Sequence, residues 1–115
     1  MTITMRVVTA VATALATTGA SMILAAPASA DPDIDFANQL HGFGIYGQRD
    51  YNAWLGKITC KRLARGVDTD AYTSANFIEK NLPPDSTTAQ ALQFLGAAIG
   101  IYCPEQSGVL QSAAQ

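Results

Sequence analysis

After the first thirty residues, apolar side chains return every three or four positions, and no run alternates apolar with polar for long enough to make a strand, so the chain reads as helical throughout. Phe36, Leu40 and Phe43 share one face of a first helix, with Asp31 as its cap, Pro32 in its first turn, and Gly42, Gly44 and Gly47 ending it. A second helix starts at Asp50, runs to about Arg65 and stops at Gly66, which places Lys61, Arg62 and Arg65 near the negative end of its dipole. A third is capped by Asp68 or Thr69, carries Tyr72, Phe77 and Ile78, and ends before Leu82-Pro83-Pro84. The fourth opens on Thr87-Thr88-Ala89-Gln90, a threonine followed three residues later by glutamine as a reciprocal capping box requires, and continues to Tyr102. Short connections make successive helices antiparallel, so the second and fourth run in the same direction.

The fourth helix is apolar nearly all round. Leu92, Leu95 and Ile99 lie on one face, Phe94, Ala97 and Ile101 on the opposite one, and such a helix belongs at the centre of its domain. In a small domain one of these faces can stay partly uncovered and form a groove. Residues 105–115 hold too little apolar material to pack and are expected to be a disordered tail.

The first thirty residues follow a different rule. Met1 to Arg6 carries one positive charge, Val7 to Ala26 is apolar and alanine-rich, and Ala28-Ser29-Ala30 offers the small residues a signal peptidase requires. Residues 1–30 therefore read as a cleavable signal peptide cut after Ala30, sending the protein out of the cell or into its envelope. An uncleaved anchor is the alternative, since the run approaches the roughly 20 residues that span a bilayer. Thr9, Thr13, Thr17 and Thr18 dilute the run and favour cleavage.

Cleavage leaves about 85 residues, enough for one domain. A chain of that size buries only about 60 to 65% of its unfolded surface, so its core is marginal and a cross-link is valuable. Cys60 and Cys103 are the two cysteines of the sequence. In an oxidising compartment they are expected to pair. Their wide separation and apolar flanks suit a structural bond rather than a redox pair of the C-x-x-C kind. Both lie toward C-terminal ends of like-directed helices, so the bond fits the topology. Ala53, Gly56, Cys60 and Ala64 share one side of the second helix, and Gly96, Ile99 and Cys103 one side of the fourth; small residues there would let the two backbones approach.

These landmarks together resemble the mycobacterial secreted family called domain of unknown function 732. The residues that carry the likeness are Asp35-Phe36, Leu40 and Gly44-Ile45, then Gly56, Cys60, Leu63 and Gly66, then Gln90-Ala91, Phe94, Ala98 and Tyr102-Cys103-Pro104. The ordered set spans residues 31–104. The resemblance implies a small exported helical domain with one disulfide, and it brings no established activity.

Charge and motif content narrow the function by exclusion. The chain carries a formal charge of −2, and cleavage removes Arg6, so the basic excess of a nucleic-acid binder is missing. His41 is the sole histidine, on the polar side of the first helix, with no serine in a nucleophile-elbow context and no glycine-rich phosphate loop. No metal or cofactor is expected, since one histidine and scattered carboxylates do not make a ligand set. Asp31, Asp33 and Asp35 are ordinary chemistry for a helix start.

Two surfaces remain as candidates for contact. Lys57, Lys61 and Arg65 recur at spacings of four on the second helix, with Trp54 at the edge of this stripe and Tyr51, Leu55 and Ile58 alongside. A tryptophan bordered by cations suits anionic lipid or an envelope glycan, whereas the plainer reading makes Trp54 core against the first or third helix and the bases ordinary company for a helix end. The other is the Phe94 and Ile101 face of the fourth helix. The expectation is an all-α, four-helix domain stapled by one disulfide, acting as a secreted or envelope-associated, non-enzymatic binding module. Its partner would be an envelope component, an apolar ligand or a protein. A carrier or sensor of a small apolar molecule, lodged between the fourth helix and the Trp54 side of the second, is the alternative; an enzyme is the remote one.

Overall fold

A computed structural model describes residues 31–114, and the expected signal peptide lies outside them. The elements are α1 (Pro32–Gly42), α2 (Arg49–Ala64), α3 (Ala71–Lys80), α4 (Thr88–Tyr102), a 3₁₀ helix (Pro104–Leu110) and the short α5 (Gln111–Ala114). The described residues form no strand, and the all-α expectation holds.

The start and stop chemistry is local. Asp31 accepts a hydrogen bond from Asp33 N at 2.9 Å and caps α1, which buries Phe36 and Leu40. Gly66 ends α2 at φ 73°, which lets Val67 N donate back to Arg62 O at 2.9 Å. The capping box of α4 is complete: Gln90 N donates to Thr87 Oγ1 and Thr87 N to Gln90 Oε1, each at 3.0 Å. The cap of α3 departs from expectation. It is Asp70, which accepts from Thr73 N at 2.8 Å and is held below the usual carboxylate range by that bond. Asp68 is drawn inward instead, to Arg62.

Helix α4 occupies the centre and packs against α1, α2, α3 and the 3₁₀ helix. Its Ala91, Phe94, Leu95, Ala98 and Ile99 are buried, whereas Leu92 and Ile101 are half-buried. Cys60 and Cys103 form the disulfide, with their Cα atoms 5.9 Å apart across a separation of 43 residues. Closing a loop of that length stabilises the fold by about 4 kcal/mol in the chain-entropy account.

Small residues serve the packing differently from the expectation. A Cβ at Gly56 would lie 3.0 Å from the Phe36 ring and 3.1 Å from that of Tyr102, so Gly56 admits two aromatic rings rather than a bare helix backbone. Gly96 has open space where its Cβ would be, and Ala64 is exposed, so neither sets the approach of α2 to α4. Phe36 reaches from α1 into this corner and meets Phe94 and Tyr102 edge-on, at centroid distances of 5.0 and 5.2 Å.

The segment expected to be disordered is helical. Val109, Leu110 and Ala113 pack against the core, and Ser112 Oγ accepts a hydrogen bond from Ala71 N at 2.9 Å at the start of α3. Its apolar residues are too few to show a period. They fall on one side of two short turns, and that suffices to dock a segment already held at Cys103.

Candidate functional site

Helix α2 has two unlike sides. Ala53, Leu55, Gly56, Thr59, Cys60 and Leu63 are buried on the inner one. On the outer side Tyr51, Trp54, Ile58, Lys61 and Arg65 follow one another in alternating steps of three and four, which on a helix makes one row along its length. The row is aromatic at its start and cationic at its end.

The aromatic end is held in place yet open. Tyr51 OH donates to Asn81 O at 2.9 Å, fixing the phenol against the C-terminus of α3. The Trp54 ring lies beside it with centroids 5.7 Å apart, and its side chain remains 50% exposed. Further along, Ile58, Lys61, Arg62, Arg65 and Val67 line a shallow groove of about 250 Å³. Val67 is 57% exposed, so the groove joins apolar surface to a cationic rim.

Neighbouring bases have different fates. Arg62 donates to both oxygens of Asp68, Nε to Oδ2 at 2.8 Å and Nη2 to Oδ1 at 2.9 Å, and Ser74 Oγ donates to the same carboxylate at 3.2 Å. The Arg62 guanidinium lies 4.0 Å from the centroid of Phe77, and its hydrogen bond to buried Asp68 raises its pKa, so it is always charged. Lys57 Nζ sits 3.3 Å from Asp33 Oδ1, the oxygen that also accepts from Tyr102 OH at 2.7 Å. The tyrosine's hydrogen bond and then the Lys57 charge hold the Asp33 carboxyl below its ordinary range, while burial and Asp33 push the Tyr102 phenol up. Among the described residues Lys61 and Arg65 enter no ion pair.

The charge distribution strengthens the contrast. Arg49, Lys57, Lys61, Arg62 and Arg65 lie on α2 or at its end, and Lys80 is the only other base after residue 30. Of the acids, Asp50 alone is on α2. An acidic domain thus carries nearly all of its positive charge on one helix.

The structure brings Tyr51, Trp54 and Ile58 together but not the residues expected to join them from α4. Phe94 is fully buried and Ile101 is half-buried against the core. Where a groove between α2 and α4 was expected to hold a ligand, Phe36 of α1 fills the space against Gly56, Phe94 and Tyr102. His41 is exposed, its ring 5.2 Å from that of Tyr46. A second open groove, of about 380 Å³, lies beside Tyr46, Gly47, Asp85 and Ser86. Among the described residues, no group of three or more histidine, cysteine or carboxylate side chains is placed to hold a metal ion.

Sequence reasoning missed the Arg62–Asp68–Ser74 cluster and the Asp33–Lys57–Tyr102 cluster. The first had a signal, an acid six residues beyond a base across a glycine-closed turn. The second joins three helices and has none.

A family model described as a protein of unknown function, DUF732, matches residues 31–105. Two uncharacterized proteins of Mycobacterium tuberculosis, from strains CDC 1551 and H37Rv, are each 59% identical to this chain over 106 residues, covering 91% of it and 95% of their own length. No solved structure matches it.

Proposed function

Because the chain belongs to the DUF732 family, described as of unknown function, we propose that it is an exported interaction module and that the outer row of α2 is its contact surface. The observation that supports this reading is an indole half-exposed on a fixed backing, in line with two cations that enter no ion pair among the described residues. Large aromatic surface left in water is a cost that contact with a partner recovers. Basic side chains left unpaired beside it select for an anionic partner.

Export rests on the sequence of residues 1–30. N-terminal sequencing of protein recovered from its host is expected to begin at Asp31. A chain beginning at Met1 in the cell interior contradicts export and leaves the contact surface to be tested separately.

The contact surface is tested by placing a photoreactive phenylalanine analogue at position 54, with position 72 as the comparison. Tyr72 is equally exposed, at 53%, but lies on α3. Illumination in the host is expected to give covalent adducts from position 54 and none from position 72. Adducts from 72 alone, or from neither, overturn the assignment.

A further inference from the structure

We infer that the partner of the α2 outer row is an anionic lipid surface, on which the helix lies flat; this rests on the reading of that row as the contact surface. Three independent features converge on it. The row follows a 16-residue helix, about 24 Å long, which suits a sheet of headgroups better than an enclosed ligand. Its order of side chains is that of an interfacial helix: Tyr51 and Trp54 present rings with polar edges, Ile58 and Val67 add apolar surface, and Lys61 and Arg65 carry long stems ending in charge. The groove of about 250 Å³ sets apolar walls directly beside cations, as a phosphate attached to an acyl chain requires.

Charge complementarity sets the orientation. Five of the six bases after residue 30 lie on α2 or at its end, and among the described residues Lys61 and Arg65 are the two of them in no ion pair, so a negative surface draws this side in. Arg62 and Lys57 are held by Asp68 and Asp33, so the headgroup phosphates fall to Lys61 and Arg65. Among the described residues no helix is long and apolar enough to cross a membrane.

Trp54 is the only tryptophan of the sequence, so its emission reports on this row and on no other part of the chain. Protein from its own host is titrated with vesicles of phosphatidylglycerol and phosphatidylcholine, and with phosphatidylcholine alone. The emission is expected to move to shorter wavelength with the anionic vesicles only, and to revert as salt is added. Lys61→Gln and Arg65→Gln are each expected to weaken partitioning about fivefold, as removal of one surface cation does. Lys80→Gln, off the row, leaves it unchanged.

An emission that does not move, that moves equally with both vesicles, or that is indifferent to Lys61 and Arg65 overturns the lipid assignment. If adducts at position 54 persist in that case, the contact surface stands and its partner is an acidic protein or glycan. If they are absent as well, both readings fail.

Discussion

Arg62 and its neighbours Lys61 and Arg65 stand within one turn of the same helix and meet opposite fates. Arg62 gives hydrogen bonds to both oxygens of a buried carboxylate and covers an aromatic ring. Lys61 and Arg65 border an open groove and enter no ion pair among the described residues. The aromatic residues divide in the same way, with Phe94 buried against Phe36 and Trp54 half in water. The inner side of α2, with Arg62 at its border held by Asp68 and Phe77, is where polar and apolar groups are matched, and it builds the fold. The outer side is where they are left unmatched, and its matching partner has to come from outside. Residue type alone does not separate structure from contact here; satisfaction does.

The comparison breaks first, and hardest, if the inner side can be dismantled at little cost. Replacing both cysteines, Cys60→Ala with Cys103→Ala, is expected to remove about 4 kcal/mol of stability in a urea titration. A loss below about 1 kcal/mol would mean that the disulfide does not hold α2 against α4. Gly56→Leu forces a side chain into the Phe36 and Tyr102 rings and is expected to cost about 3 kcal/mol. An unchanged melting temperature would show that this corner is loosely packed.

The two fates of the bases are sharpened by a matched pair of variants. Arg62→Ala leaves Asp68, 2% exposed, as an unpaired buried charge, and is expected to cost about 3 kcal/mol. Lys61→Ala, one residue away, is expected to change stability by no more than about 0.5 kcal/mol. Equal effects would erase the distinction.

Tyr102→Phe removes the hydroxyl donated to Asp33 and is expected to cost about 1 kcal/mol at neutral pH, less than Arg62→Ala. The folded pKa of Asp33 lies below the ordinary value of 3.8, so its contribution is present above that value and is lost as the pH falls through the folded pKa. The gap between the variant and the parent should therefore close on acidification. A gap that is constant down to the acid transition would show that the hydroxyl acts without the carboxylate's charge.

Much of this fold was legible because its signals are local. The capping box at Thr87 and Gln90, the glycine stop at Gly66 and the buried period of Phe36 and Leu40 each act within a few residues, and the structure keeps them. The cysteine pairing was legible from number and direction of helices. Tertiary competition was not. Asp68 looks like a cap until Arg62 and Ser74 take its oxygens, and Phe94 looks available until Phe36 arrives from a helix nearly sixty residues earlier. The segment after Pro104 was misread because three sparse apolar residues show no period. Of the contact row, Tyr51, Trp54, Ile58, Lys61 and Arg65 were all visible, but which cations stay unpaired depends on contacts that only the folded chain makes.

The division of α2 into a structural side and a contact side is tested most directly by hydroxyl-radical footprinting of the protein in its host compartment and after purification. The account predicts that Trp54 reacts readily when pure and is protected in place, while Tyr72 reacts alike in both. Equal reactivity of Trp54 in the two settings, or protection of Tyr72 together with it, would contradict the account.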